Sequence, residues 1–449
     1  MSEQTNTSSP PSQARAKPSD ILAIGSMVFA LFLGAGNLIF PPFIGQASGS
    51  GLLAAVAGFL LTGVGLPLLG LVACARLKGG GLRSFTRDLP AWMSLATGLA
   101  LYLSIGPLFA LPRTAVVSWE MTLADSFSGM SQGPALYSAL FFAATLGLAL
   151  FPGKLIDTIG RIITPILAVA LGIIFLGVLF IPQGSAWGHE PTIDGNLFFW
   201  GVLQGYQTMD ALGALIFGVV IIAALQERGL DSPQQITRHT VQAGMIAALA
   251  LAVVYIALAW LGATSHSVAP DASNGADILS SYVEKMFGQS GVILLGVAMT
   301  LACLTTAVGL VSACASYFNE LMPRLGYKGW ASLCALASGV VATGGLDQLL
   351  KITLPALMAL YPFVVGLVLL ALIRPRLKSP VITSLMSLVP VLIVGIIDGL
   401  SVGGVDWART LADNLLSAMP LHDAGFDWVI PGLAGFALSL VLCGRKTDA

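Results

Sequence analysis

One acidic residue, Asp210, stands inside a long apolar stretch of the sequence, where a lone carboxyl group is unexpected. An acid at the centre of a bilayer costs about 2.5 to 3.5 kcal/mol on insertion scales, so other groups must offset that cost. Asp210 could belong to a cation or substrate site. It could equally be a structural acid that neighbouring backbone groups hold by hydrogen bonds, and the residue types leave both interpretations open.

Two adjacent hydroxyl residues, Thr305 and Thr306, lie in another apolar stretch of little polar content. Hydroxyl and carbonyl oxygens are ligands that suit hard cations such as Na+. A single threonine in a helix usually bonds back to the preceding turn. A pair that faces an interrupted helix instead favours a cation site.

The remaining ionisable residues form no catalytic motif. The four histidines lie in loops or at span ends without ligand spacing, and no phosphate loop or activated nucleophile is present. Arg113 is expected near an external vestibule, paired with an acid such as Glu120, and Asp398 is expected to be structural. The sequence therefore predicts no enzyme, and transport would need an ion gradient because no nucleotide-binding domain is visible.

The composition places these residues in lipid. Of the 449 residues, 56% are hydrophobic and 10% charged, against about 45–50% and about 25% in soluble domains. Without water, backbone groups must be satisfied within helices or closed barrels, and the long continuous apolar runs indicate helices. We expect an all-α integral membrane protein, and the net charge of -1 gives no indication of nucleic-acid binding.

A hydropathy window of about 19 residues predicts twelve transmembrane helices. They cover residues 20–46, 51–76, 91–121, 134–152, 158–182, 196–225, 237–262, 290–318, 329–346, 349–373, 380–401 and 427–444. Residues 1–19 are polar and rich in Pro and Ser, and are expected to form a disordered cytoplasmic tail. Nearly all of the 21 Lys and Arg then lie in this tail or in loops after even-numbered spans. The positive-inside rule therefore predicts cytoplasmic N and C termini.

Weak internal similarity relates the first five spans to the next five. The run DTIGRIITPILAVAL at 157–171 aligns with DQLLKITLPALMAL at 347–360, and residues 114–116 align with 306–308. An odd number of spans per repeat brings the second copy in from the opposite side, which is typical of secondary transporters. Chance similarity between apolar segments is the competing explanation.

Corresponding spans of both halves also carry glycines and polar residues at mid-span. Span 1 contains FLGAGNLIFPP and span 6 contains GVLQGYQTMDALGAL. Such residues are tolerated at membrane depth where a broken helix lines a cavity. We therefore predict five-helix repeats at 20–182 and 196–373, each beginning with a broken helix, and two additional helices at 380–444.

Six motifs in order resemble those of the bacterial branched-chain amino acid carriers of BrnQ type, the LIVCS family of cation symporters. They are FALFLGAGNLIFPP, GPLFALPRTA, LFPGKLIDTIG, GYQTMDALGALIFG, SNGADIL and ACLTTAVGL. The resemblance extends from about residue 20 to the C terminus. It implies a LeuT-like fold of 5+5 inverted repeats plus two helices. It also implies Na+-coupled uptake of leucine, isoleucine and valine across the bacterial inner membrane by alternating access.

The resemblance further implies where ion and amino acid bind, because the GAGN run matches a Gly-x-Gly-Asn segment of that fold. A sodium site would comprise Ala30, Leu33, Ala302, Thr305 and Thr306. The substrate's carboxylate and ammonium would meet Ala35, Gly36, Asn37, Gly205, Tyr206, Gln207, Thr208 and Asp210. Helix N-termini favour anions and carbonyl ends favour cations. Phe32 and Asn37 would belong to a second sodium site, but its other ligands are not placed, so one ion is favoured.

Two alternatives stay open at this point. The first is a proton-coupled carrier of another small apolar amine or nucleobase, in which Asp210 titrates. The second is a channel or nutrient sensor, which the inverted repeat disfavours. No organic cofactor, nucleic acid or obligate protein partner is expected beside the amino acid, Na+ and the lipid bilayer. The order of preference among the three amino acids is not predicted, because one methylene is worth only about 1–3 kcal/mol.

Overall fold

The computed structural model describes residues 18–77, 81–122, 130, 132–150, 164–230 and 232–444, and every regular element in them is a helix. The main helices are α1 (Pro18–Phe32), α2 (Ala35–Ala47), α3 (Gly49–Arg76), α4 (Ala91–Glu120), α5 (Gly133–Ala149), α6 (Thr164–Phe180), α7 (Leu197–Tyr206), α8 (Asp210–Gln226), α9 (Pro233–Ala263), α10 (Gly275–Leu321), α11 (Gly326–Ala342), α12 (Leu346–Ile373), α13 (Pro380–Val402) and α14 (Val429–Cys443). Residues 1–17 of the expected tail lie outside the described residues, and so does the start of the 157–171 repeat motif.

Six described helices, α3, α4, α9, α10, α12 and α13, are long and apolar enough to cross a membrane alone. Two bent pairs, α1 with α2 and α7 with α8, raise that number to as many as eight. The other predicted spans coincide with α5, α6, α11 and α14, which have at most 17 residues, fewer than the about 20 that a span usually needs. Every predicted span thus contains a helix, whereas the count of twelve crossings and the repeat boundaries stay predictions.

Large apolar side chains are exposed on the outward faces of these helices. Leu53 on α3, Leu249 on α9 and Val441 on α14 are 74%, 69% and 81% exposed. A water-soluble protein rarely leaves contiguous apolar surface of this kind uncovered. The same helices turn glycines, small residues and the few buried polar groups toward the interior, so the outer surface is suited to lipid.

The first helix break separates α1 from α2, whose axes differ by 70°. Gly34 occupies the break in an extended conformation, and its N–H donates to Asn37 Oδ1 at 3.2 Å. A methyl group at Gly34 would lie 3.1 Å from Thr306 Oγ1, so the Thr306 side chain of α10 packs tightly against the break. The glycine and the asparagine together end one helix and begin the next.

The second break separates α7 from α8 by 41°. Met209 has left-handed backbone angles, with φ 62° and ψ 11°, a conformation that costs a non-glycine residue about 1–2 kcal/mol. The Thr208 hydroxyl donates to the Gly205 carbonyl and accepts from the Asp210 N–H. This hydrogen-bonded turn holds the strained residue and positions the start of α8.

Half-helix α2 packs on α9 through a glycine seam. A methyl group on Gly45 would lie 1.9 Å from the Ala259 carbonyl oxygen, and one on Gly262 would lie 1.9 Å from the Pro42 carbonyl oxygen. Small residues allow such close backbone approach in membrane bundles. The two helices therefore touch backbone to backbone.

Half-helix α7 packs on α3 in the same manner. Methyl groups on Gly58 and Gly201 would each lie 2.0 Å from a carbonyl oxygen of the opposite helix, that of Phe198 and that of Ala55. One half of each broken helix is thus in backbone contact with a long neighbouring helix.

Candidate functional site

The two helix breaks border one small cavity. Its apolar lining comes from Leu31, Phe32, Ile105, Phe217 and Leu310. Its polar lining includes Asn37, Arg113, Thr208, Asp210 and Thr306. The cavity is therefore suited to a ligand with one apolar and one polar end.

Asp210, the first residue of α8, is held by side chains from two other helices. Its Oδ2 accepts a hydrogen bond from Asn37 Nδ2 at 2.5 Å and one from the Tyr255 hydroxyl at 2.9 Å. Asn37 Nδ2 also donates to the Tyr255 hydroxyl oxygen. All three residues are buried. Asp210 is thus anchored by donor side chains of α2 and α9, and it lines the cavity.

Tyr255 was not singled out in the sequence as a site residue. A tyrosine whose hydroxyl lies in mid-span needs a polar partner, and that requirement is the signal that could have identified it. Its ring packs edge to face on Phe59, with centroids 5.1 Å apart, so α3 fixes the orientation of the hydroxyl toward Asp210.

Arg113 lies at the centre of the site, and its expected position beside Glu120 near a vestibule is wrong. The side chain is 2% exposed, and its Nη1 donates to the Gln207 carbonyl at 2.8 Å. Nη2 donates to the Thr208 carbonyl at 3.5 Å. Seven residues, about two helical turns, separate Arg113 from Glu120, whereas side chains on a helix interact at separations of three or four.

The course of α4 brings Arg113 to this point. Residues 104–108 form a wide π-helical turn in which Gly106 leaves helical geometry (φ -81°, ψ -120°) and Pro107 lacks an N–H. Such turns re-aim the helix that follows and are frequent at functional sites. The guanidinium carbon also lies 5.6 Å from the centroid of the Phe40 ring, a cation–π contact with α2.

The two adjacent threonines of α10 face the carboxyl end of α1. Thr305 Oγ1 donates to the carbonyls of Ala302 at 2.8 Å and Ala30 at 3.2 Å. Thr306 Oγ1 lies 3.2 Å from the Leu31 carbonyl and 3.4 Å from the Leu33 carbonyl. The structure therefore brings together all five residues of the expected sodium site, and adds the carbonyl of Leu31.

This oxygen cluster contains no charged ligand. Nowhere in the described part of the chain do three or more His, Cys, Asp or Glu residues gather as a metal site would require. Carbonyls at a helix C-terminus carry partial negative charge. Such a cluster is suited to a hard monovalent cation rather than to a transition metal.

Five of the eight expected substrate residues line the cavity. They are Ala35, Gly36, Asn37, Thr208 and Asp210. Phe32, expected at a second sodium site, lines it as well and packs edge to face on Phe217 at 5.9 Å. Asn37 uses Oδ1 for Gly34 and Nδ2 for Asp210 and Tyr255.

The other three expected substrate residues point elsewhere. Gly205 packs on α3, where an added methyl group would lie 2.0 Å from Thr62 Oγ1. Tyr206 stacks on Tyr361 with ring centroids 4.2 Å apart. Gln207 contributes its carbonyl to Arg113 while its side chain lies off the cavity. Only the backbone of this segment reaches the site.

Comparison with known proteins gives a consistent result across the whole chain. Residues 17–446 match the family described as branched-chain amino acid transport protein. The chain is 44% identical to the branched-chain amino acid transport system 2 carrier protein of Pseudomonas aeruginosa, over 96% of this chain and 98% of that one. It is 40% identical to the branched-chain amino acid permease BraB of Bacillus subtilis, covering 94% and 95%.

Among solved structures, a Na+-coupled sialic acid symporter in a substrate-bound outward-open state is similar. It superposes with a TM-score of 0.61 at 16% identity, covering 95% of this chain and 91% of that one. At that identity the likeness shows the fold alone, which is the LeuT-type transporter fold expected from the sequence.

Proposed function

We propose, from the premise that the chain belongs to the branched-chain amino acid transport protein family, that it is a symporter of leucine, isoleucine and valine driven by Na+. Members of this family are carriers and permeases, not enzymes. The protein is a multi-pass membrane protein with the fold of a secondary transporter. The cavity between the two helix breaks, apolar on one side and polar on the other, carries the proposal.

The amino acid would lie with its polar end against the breaks. The backbone of Ala35 and Gly36 opens α2, and free N–H groups at a helix N-terminus favour an anionic group. Asp210, on the opposite side, offers a negative charge for the ammonium. The aliphatic side chain would face Leu31, Phe217 and the neighbouring apolar residues, where burial stabilises it by about 25 cal/mol per Å².

Na+ would bind the oxygen cluster of α1 and α10. The hydroxyls of Thr305 and Thr306 contact the carbonyls of Ala30, Ala302 and Leu33, and these five oxygens would be the ligands of the ion. Filling this site would join α1 to α10 beside the first break, which couples the ion to the shape of the cavity. The engaged side chain of Asn37 favours one Na+ per amino acid over two.

We place the protein in the bacterial cytoplasmic membrane with both termini inside. The distribution of Lys and Arg supports this orientation, because Arg113, Lys285, Lys351 and Arg409 are the only members of the 21 outside the tail and the internal loops. In this orientation inward transport follows the Na+ gradient.

The decisive experiment uses the full chain in proteoliposomes. Uptake of labelled leucine, isoleucine and valine is measured with inward gradients of Na+, Li+ or H+ imposed separately. We expect concentrative uptake with Na+ and none with H+ alone. Uptake driven by H+ without Na+ would contradict the sodium proposal.

Two further measurements separate the alternatives. If H+ drives uptake and Asp210→Asn abolishes its pH dependence, the proton-coupled carrier is correct. Asp398→Asn is the matched control, because Asp398 is also an acid within a span but lies off the cavity. Absence of counterflow exchange of labelled leucine would instead indicate a channel or sensor.

A further inference from the structure

Arg113 is a buried guanidinium without an acidic contact. Among the described residues, no Asp or Glu oxygen lies within 4.0 Å of its nitrogens. Charged groups at membrane depth are costly and normally pair with an opposite charge. The nearby carbonyls of Gln207 and Thr208 accept hydrogen bonds from Arg113 but do not neutralise it.

The guanidinium also has hydrogen-bonding capacity that the protein leaves unused. Arginine carries five N–H donors, and two of them reach the carbonyls of the second break. Nε is fully buried and has no hydrogen-bond partner among the described residues. A buried donor without a partner is unfavourable, so the guanidinium is not fully satisfied by the protein.

Nη2 of Arg113 lies at the polar end of the cavity. It is so close to Gly36, which lines the cavity, that a methyl group on Gly36 would be 2.8 Å away. The Phe40 ring, 5.6 Å from the guanidinium carbon, contacts Arg113 from α2. Arg113 and Asp210 both line the cavity without contacting each other.

We propose that Arg113 binds the carboxylate of the transported amino acid, while Asp210, which Tyr255 and Asn37 hold in place, binds its ammonium. This inference rests on the proposed function. A planar guanidinium is matched to a carboxylate and can donate two parallel hydrogen bonds to it. Each fixed charge of the protein then meets the opposite charge of the zwitterion.

Two consequences follow for specificity and coupling. The site selects molecules with both a free carboxylate and a free ammonium, since removal of either leaves a buried charge unpaired. A sodium ion is not needed to neutralise the carboxylate, because Arg113 supplies that positive charge. This role of Arg113 agrees with the single Na+ proposed at the α1 and α10 oxygens.

The competing role for Arg113 is structural, namely holding the second break through the carbonyls of Gln207 and Thr208. The two roles differ in which ligands lose binding affinity when the Arg113 side chain is removed. A structural role affects every ligand of the cavity equally. Carboxylate binding affects only ligands that carry a carboxylate.

The test measures equilibrium binding to the purified full chain in Na+, by competition against labelled leucine or isoleucine. The probes are leucine, leucinamide, which lacks the carboxylate, and 4-methylpentanoate, which lacks the ammonium. We expect native protein to bind leucine at least tenfold more tightly than leucinamide. In Arg113→Gln, leucine affinity should fall about 10- to 100-fold while leucinamide affinity stays unchanged.

Arg228→Gln is the matched control, because Arg228 lies just after the far end of α8 and donates to the Ala224 carbonyl, away from the cavity. It should bind all probes as the native protein does. If Arg113→Gln does not fold, Arg113→Lys serves instead, because it keeps the positive charge but cannot donate two parallel hydrogen bonds. The ratio of its affinities for leucine and leucinamide should also fall.

Equal weakening of leucine and leucinamide in the Arg113 variants would overturn the inference, as would equal binding of both by native protein. These outcomes leave the proposed function intact. Failure of native protein to bind any branched-chain amino acid would instead contradict the proposed function, so the two failures are distinguishable.

Discussion

Removing the Thr305 hydroxyl tests the sodium site at one atom. Thr305 is 1% exposed, and its Oγ1 lies 2.8 Å from the Ala302 carbonyl and 3.2 Å from the Ala30 carbonyl. Thr305→Ala deletes one oxygen from the proposed ligand set and leaves the backbone carbonyls in place. We expect Na+ binding to weaken while the amino acid site itself stays intact.

The size of this effect follows from the burial of the group. A hydrogen bond or equivalent contact to a charged partner is worth about 1.5–3 kcal/mol, and about 1.4 kcal/mol is a factor of ten in affinity. The Na+ concentration for half-maximal uptake should therefore rise about 10- to 100-fold. The assay is the initial rate of labelled leucine uptake into proteoliposomes as a function of external Na+. The maximal rate at saturating Na+ should change much less.

Two variants make this result specific. Thr305→Ser keeps the oxygen and should retain the native Na+ dependence. Thr353→Ala makes the same chemical change at a fully buried hydroxyl of α12, which donates at 2.6 Å to the Leu349 carbonyl of its own helix. It should leave the Na+ dependence unchanged. A well-folded Thr305→Ala protein with native Na+ dependence would refute the assignment of this oxygen cluster to sodium.

Three further changes test the packing, the second break and the loop between α9 and α10. Gly262→Ala places a methyl group against the backbone of α2 and should lower both the melting temperature and leucine uptake; Gly147→Ala, with open space around it, should leave stability the same or raise it by up to about 1 kcal/mol. Met209→Ile puts a β-branched residue at φ 62°, so it should destabilise the protein clearly more than the unbranched Met209→Leu; equal melting temperatures would contradict strain at the break. Between α9 and α10, the His266 ring stacks on the His189 ring with centroids 3.8 Å apart. Burial is the main cause that lowers the pKa of His266 from 6.5, and the nearby His189 ring lowers it further. Because His266 binds a proton more readily in the unfolded chain, the folded state is fully stable above about pH 6.5 and loses stability as the pH falls below that value. In His266→Phe the melting temperature should therefore depend less on pH over that range.

The helix breaks could be predicted from the sequence because their signals are local. Gly34 to Asn37 and the polar run ending at Asp210 interrupt apolar stretches, and interruption of a membrane helix requires such residues whatever the surrounding fold. The threonine pair was identified for the same reason. Two hydroxyls in an apolar helix are visible without knowing which helix they face.

The contacts between helices could not be predicted in this way. Hydropathy gives the depth of a residue in the bilayer but not the side of the helix it occupies. Arg113 was expected near a vestibule because the π-helical turn before it, which redirects α4, leaves no clear mark in hydropathy. Tyr206 was expected in the site because its neighbours are, yet its ring turns toward Tyr361. Tyr255 reaches Asp210 from 45 residues away, a distance in sequence that no local pattern spans.

Because α1 and α2 meet at a 70° bend, a small rotation at the bend would displace the far end of α2 the most. A helix of 13 residues is about 20 Å long, so a swing of about 10° about Gly34 would move its far end by about 3 Å. The glycine seam leaves no layer of side chains between α2 and α9 to absorb such a swing, so α9 would be carried with it. A single methyl group added to the glycine seam would then hinder the opening of the cavity, although the methyl group does not contact the cavity.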